Sequence, residues 1–193
     1  MAVKATRKAV VIVLCLLVLL GAVIIGLRPA TQAFYRAFYP VEYWDTVSAE
    51  AEKYELDPVL VLAVIHTESR FDSNAISHAD AHGLMQITPI ALEWAQYRSD
   101  EFDDVTTADL YDPQTNIRLG VYILSLLRES YPETDTMLAA YNAGYGQVAE
   151  WLADSRYSAD GVTLSSIPFP ETAGYVEKIN KAQQAYRELY DWL

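Results

Sequence analysis

The strongest constraint on this 193-residue chain is a run of 18 residues without a charge, Val10 to Leu27 (VVIVLCLLVLLGAVIIGL). As an α-helix it would be about 27 Å long, close to the roughly 30 Å hydrocarbon core of a bilayer. Lys4, Arg7 and Lys8 precede it. The positive-inside rule therefore places the N-terminus in the cytoplasm and the bulk of the chain outside. A cleaved signal peptide has a shorter apolar region and a small-x-small cleavage site, for which Thr31-Gln32-Ala33 is a poor match. A lipid-modified N-terminus would use Cys15, but Leu16 and Leu17 follow it in mid-run. A buried core helix would not start behind a basic cluster. Length selects a retained signal anchor. The expected organisation is a basic segment at 1–9, a transmembrane helix at 10–27 and a juxtamembrane linker at 28–40. A single domain follows at 41–193. Phe34, Tyr35, Phe38 and Tyr39 would suit the interfacial aromatic belt.

Charge is placed very unevenly. Four of the 14 basic residues flank the apolar run, and all 26 acidic residues follow it, so ten basic residues face 26 acidic ones from Pro29 onward. That balance suits solubility outside a cell and excludes a nucleic-acid binder, which needs clustered Lys and Arg. One cysteine excludes an intramolecular disulfide and any cysteine-rich zinc site. His78 and His82 have i, i+4 spacing but fall in a loop bearing Ser, Asp and Gly, and His66 stands apart. No metal or cofactor is expected.

The remainder reads as all-α. Val41, Trp44, Val47, Ala51 and Tyr54 recur at helical spacing. Asp57-Pro58 supplies an N-cap and a proline at the first helical position, ahead of a nearly all-apolar helix from Val59 to Ile65. Thr88-Pro89 starts a helix to about Tyr97, and Asp112-Pro113 one to about Ser130, where Pro132 stops it. Short helices are expected over Thr134 to Asn142, closed by Gly144, and over Gly146 to Ala153. The last runs from Pro170 to Leu193. Residues 98–111 and 154–169 read as irregular connections, the second long enough for a short hairpin or the border of a cleft.

Glu68 is the residue with most chemical promise. It lies at the end of the apolar helix, where desolvation favours the neutral carboxyl and raises its pKa. A carboxylic acid still protonated near pH 7 is what a general acid requires. The residue type alone leaves open a helix-end glutamate that reaches solvent or pairs with Arg70. Gly83-Leu84-Met85-Gln86 follows, with a glycine for close backbone approach and an amide that can both donate and accept. Ala140-Tyr141-Asn142-Ala143-Gly144 ends a helix, with Asn142 as a candidate cap and Gly144 as a candidate left-handed residue.

In this order these pieces resemble the lytic transglycosylase domain of the soluble-lytic-transglycosylase (SLT) type, a lysozyme-like fold. Glu68-Ser69 resembles the family's catalytic pair, Gly83 to Gln86 its Gly-Leu-Met-Gln, and Ala140-Tyr141-Asn142 its Ala-Tyr-Asn. Pro170-Glu171-Thr172 with Tyr175-Val176 resembles the closing segment. Asp112-Pro113, Asn116-Ile117 and Gly120 fit its middle helix. The resemblance covers about residues 45–185. It implies non-hydrolytic cleavage of the β-1,4 bond between N-acetylmuramic acid and N-acetylglucosamine in peptidoglycan, leaving 1,6-anhydro ends. Glu68 would act as acid and then base. Ser69 would orient the substrate acetamido group or Glu68, and Gly83 would sit in the supporting turn. Gln86 and Asn142 would hold sugar polar groups, Met85 and Tyr141 would wall the cleft, and Tyr175 would hydrogen-bond near Glu68. The implied partners are glycan strands and, through the anchor, the bacterial cell membrane, with the catalytic domain outside the cytoplasm. Hydrolysis would usually need a second carboxylate, for which Asp72, Asp80 and Glu171 are candidates. An inactive wall-binding module is the alternative from another class.

Overall fold

The computed structural model describes residues 19, 26, 27 and 29–193. Most of the expected membrane span at 10–27 lies outside the described residues. Among those described, no helix is long and apolar enough to cross a membrane. The chain divides into two compact units, Met1–Pro40 and Val41–Leu193. In the first, α1 is helical over 29–38, where the sequence reads as a linker, and its side chains there are exposed. Edge-to-face contacts pair Phe34 with Tyr35 at 5.8 Å and Phe38 with Tyr39 at 5.0 Å.

The α-helices of the second unit are α2 (Trp44–Lys53), α3 (Pro58–Glu68), α4 (Pro89–Arg98), α5 (Pro113–Ser130), α6 (Thr134–Ala143), α7 (Tyr145–Leu152) and α8 (Pro170–Leu189). Two short 3₁₀ turns, η1 (Asp100–Phe102) and η2 (Thr107–Tyr111), stand where an irregular connection is expected. No strand occurs among the described residues; His82 alone makes isolated bridges, to Ile76 and Ile87. The three Asp/Thr-Pro starts form as the sequence predicts. Asp57 accepts from the Val59 amide at 3.0 Å, Thr88 from Ala91 at 3.2 Å and Asp112 from Thr115 at 2.9 Å.

At the centre lies α3, with every residue from Val59 to His66 buried. Burying one such Val, Leu or Ile side chain contributes roughly 1.5–3 kcal/mol, so this helix alone can anchor the core. Its main neighbour is α8, which buries Thr172, Tyr175, Val176, Ile179, Ala182 and Tyr186. The two run antiparallel and are tied at both ends. At one end Asp57 accepts from Gln183 at 3.2 Å and from Arg187 at 2.5 Å. At the other, Tyr175 reaches Glu68. Two details differ from expectation. First, α8 ends at Leu189 rather than Leu193. Second, Gly144 has φ +95° and ψ 147°, an extended conformation open to glycine rather than the left-handed helical one, because it turns the chain directly into α7.

Candidate active site

Glu68 is the last residue of α3, and the chain breaks away immediately after it. Arg70 and Phe71 both take left-handed backbone conformations, φ +52° and +66°. The helix therefore ends with its last carboxylate at the rim of the core, half-buried. Burial pushes the Glu68 pKa up to about 7, opposed by the Tyr175 hydroxyl, which donates to Oε1 at 2.7 Å. Tyr175 is itself buried, and burial together with the Glu68 charge holds its hydroxyl well above the usual phenol range, so it remains a donor. The Tyr141 hydroxyl is raised by the same two causes.

A tight turn from His82 to Ile87 lies beside Glu68 and is fixed from three sides. Its ends pair through His82 N–H to Ile87 O (2.9 Å) and Ile87 N–H to His82 O (3.0 Å). Gly83 sits at φ +73°, and a Cβ there would fall on the Leu110 carbonyl oxygen and the Asn116 amide. Asn116, fully buried on α5, accepts from the Met85 amide at 2.8 Å and donates to the His82 and Leu110 carbonyls at 3.0 and 2.8 Å. Ser69 Oγ donates to Leu84 O at 2.8 Å, and Tyr141 OH to Met85 O at 2.7 Å. The residues on either side of Glu68's environment thus hold one backbone segment rigid.

These bonds redistribute the roles the sequence implies. Ser69 is occupied by Leu84 and Ile65 carbonyls. Met85 is fully buried, its side chain against Gly120 at the spot a Cβ would need, so it supports the turn from the core and does not wall a cleft. Gln86, at φ +50°, spends its amide hydrogens on Ala75 O (3.2 Å) and Gly83 O (2.9 Å). Asn142 is exposed at the end of α6 and does not cap it. Tyr175 is brought to Glu68 across 107 residues of sequence. Asn116, visible in the sequence only as part of a helix pattern, is the structural residue that holds this turn. Its sign in the sequence is an asparagine at the head of a largely apolar stretch, Asn116 to Leu124, that holds one charge, Arg118.

The other carboxylates stand apart. Asp72 is exposed and caps a turn, accepting from Asn74 N–H at 2.9 Å, because α3 stops before it. Asp80 pairs with His82 Nε2 at 3.0 Å, and Glu171 is exposed in the first turn of α8. Cavities of about 460 and 420 Å³, beside α8 and between α2 and α5, contain neither Glu68 nor the clamped turn.

This all-helical unit, with a buried central helix, a half-buried carboxyl at its end and a clamped turn beside it, shares the lysozyme-like fold of the solved lytic transglycosylases it matches. The chain belongs to the transglycosylase SLT domain family, whose model matches residues 45–162. It is 31% identical over 167 residues to membrane-bound lytic murein transglycosylase C of Salmonella arizonae, covering 76% of this chain and 46% of that protein. The chain thus spans about half the length of the curated relatives it matches. Among solved structures, an inactive mutant of lytic transglycosylase Slt from Pseudomonas aeruginosa is similar with a TM-score of 0.66. The two share 34% identity over 78% of this chain and 25% of that one. The 70 kDa soluble lytic transglycosylase of Escherichia coli is similar with a TM-score of 0.68 and 27% identity, over 80% of this chain and 25% of that one.

Proposed function

We propose that this chain cleaves the β-1,4 bond between N-acetylmuramic acid and N-acetylglucosamine in peptidoglycan without water. Glu68, protonated near neutrality, gives its proton to the glycosidic oxygen as the C1–O bond breaks. The N-acetyl group of the muramoyl residue assists at C1. The ionised Glu68 then takes the proton of the C6 hydroxyl as O6 bonds to C1, leaving a 1,6-anhydro end and a reprotonated Glu68. Tyr175 favours the ionised form, so its hydrogen bond strengthens as the proton leaves. The Gln86 carbonyl oxygen and Asn142 meet sugar hydroxyl and acetamido groups. The apolar run at 10–27 anchors the domain in the cell membrane and leaves it outside the cytoplasm.

The observation carrying this reading is the Glu68 carboxyl itself. Burial raises its pKa to about 7 against the Tyr175 hydrogen bond, and among the described residues no second carboxylate contributes to the shift. That supports one residue serving as acid and base in turn, where a hydrolase would usually pair two carboxyls. The names of the relatives support the same activity, and the similar P. aeruginosa Slt was made inactive by replacing a glutamate with glutamine.

The test is mass spectrometry of muropeptides released from purified peptidoglycan by the full chain in a neutral detergent, beside Glu68→Gln. Anhydro products one water lighter than their reducing-end counterparts, absent with Glu68→Gln, are expected. Reducing-end products would replace this reading with hydrolysis. No products from a folded chain would replace it with a binding module.

A further inference from the structure

Beyond the clamped turn the chain enters α4, and this helix turns an apolar stripe outward. Ile90, Trp94 and Tyr97 follow at i, i+4 and i+7, one face of a helix. Ile90 is 78% exposed, Tyr97 88%, and Trp94 is half-buried, while Leu92 and Ala95 serve the core. The stripe continues onto a second element. The Trp94 ring stands 6.3 Å from that of Tyr145, the first residue of α7. Tyr145 is 49% exposed but held from beneath by buried Tyr131. Their rings lie 5.2 Å apart, and the Tyr131 hydroxyl donates to the Tyr145 carbonyl at 2.9 Å. The exposed ring therefore rests on a fixed base. Each half of the pair also leads back to the active site. Pro89, which opens α4, is three residues past Gln86, and Tyr145 is three past Asn142.

We infer that Trp94 and Tyr145, flanked by Ile90 and Tyr97, form a stacking platform for the glycan strand beyond the bond that is cut. The inference rests on the proposed function. A pyranose ring presents an apolar face of C–H groups with polar groups at its rim. An exposed aromatic ring can cover that face while leaving the rim to water. A polymer bound across Glu68 must continue past the two sugars at the scissile bond. The platform adjoins, through both of its helices, the residues assigned to sugar polar groups. A protein partner or a second copy would also cover an apolar face, but would have no reason to adjoin the residues assigned to the sugars.

The platform makes the enzyme sensitive to strand length. The full chain in neutral detergent is compared on glycan tetrasaccharide and decasaccharide substrates, as wild type, Tyr145→Ala and Tyr145→Phe. The ratio of kcat/KM on long over short strands is expected to fall ~10-fold in Tyr145→Ala, equivalent to one lost stacking contact. Tyr145→Phe restores it. An unchanged ratio, including one left by an equal loss at both lengths, overturns the platform. Concentration-dependent dimerisation abolished by Tyr97→Ala overturns it too, and gives the face to a second copy. Calorimetric titration of Glu68→Gln with N-acetylglucosamine oligomers separates the two readings, since it needs no cleavage. Affinity that rises with oligomer length, and does so less in Glu68→Gln/Tyr145→Ala, supports the platform even if wild type cuts nothing. Affinity independent of length overturns it.

Discussion

At Glu68 two effects oppose each other: burial keeps the proton on, and the Tyr175 hydroxyl favours its departure. With the balance near pH 7, the proposed mechanism, in which the acid form starts the reaction, requires kcat/KM to be highest on the acid side and to decline as pH rises through about 7. Tyr175→Phe removes the group that lowers the pKa. The falling limb of the pH–rate profile should then move to higher pH, and a downward move would refute the assignment. The same shift has a cost in stability. The unfolded carboxyl titrates near its ordinary value of 4.5, the folded one near 7. Below both values the proton is bound in either state and Glu68 adds no pH dependence. Between them the unfolded chain releases its proton first, so folding is progressively disfavoured, and the penalty is complete above the folded pKa. Glu68→Gln should therefore be the more stable protein at pH 8, by about 3 kcal/mol, and lose that advantage near pH 4. Denaturant titrations at the two pH values measure it.

The elements place Glu68, but the turn beside it depends on one side chain of α5. Asn116 uses both hydrogens and its carbonyl oxygen on backbone groups of three residues. Asn116→Ala would leave these buried groups without partners and should cost about 4 kcal/mol in chemical denaturation. Gly83→Ala should cost about 3 kcal/mol or more, from its positive φ and from the collision with Leu110 and Asn116. Local signals in the sequence are reliable where the physics is local. The Asp-Pro and Thr-Pro caps mark the starts of α3, α4 and α5, since a side chain two or three residues away satisfies them. The all-apolar α3 announces its own burial. Glu68 is legible because it ends that run. Met85 and Gln86 are legible as important residues, but their orientation is not. Whether an amide hydrogen goes to a sugar or to Ala75 O depends on contacts 11 residues away, and Met85 depends on Gly120 in another helix. Tyr175 needs the family resemblance to be found, because no periodicity connects it to a residue 107 positions earlier. The short η1 and η2 turns are invisible because their caps, such as Thr106 with Asp109, look like ordinary polar loop.

Over the whole molecule, charge runs against the proposed substrate. From Pro29 onward ten basic residues face 26 acidic ones, and the stem peptides of peptidoglycan carry carboxylates. Part of the domain's basic charge is already neutralised in exposed ion pairs, such as Lys53 and Arg118 with Glu101 at 2.9 and 2.8 Å. Such pairs contribute little stability but leave fewer cations for the wall. The proposed recognition rests on hydrogen bonds at Gln86 and Asn142 and on uncharged stacking surfaces, with electrostatics working against approach. The consequence is a salt dependence opposite in sign to that of a basic wall-binding protein. At about 0.01 M salt the Debye length is about 30 Å and the repulsion reaches well past the surface; at about 0.15 M it is about 8 Å. Cleavage of intact sacculi should therefore accelerate as salt rises over that range, while cleavage of a short glycan without stem peptides stays level. Rates measured on both substrates across the range test this directly. A steady fall with salt on sacculi would mean that a local cation cluster, rather than the acidic surface as a whole, governs how the enzyme meets the wall.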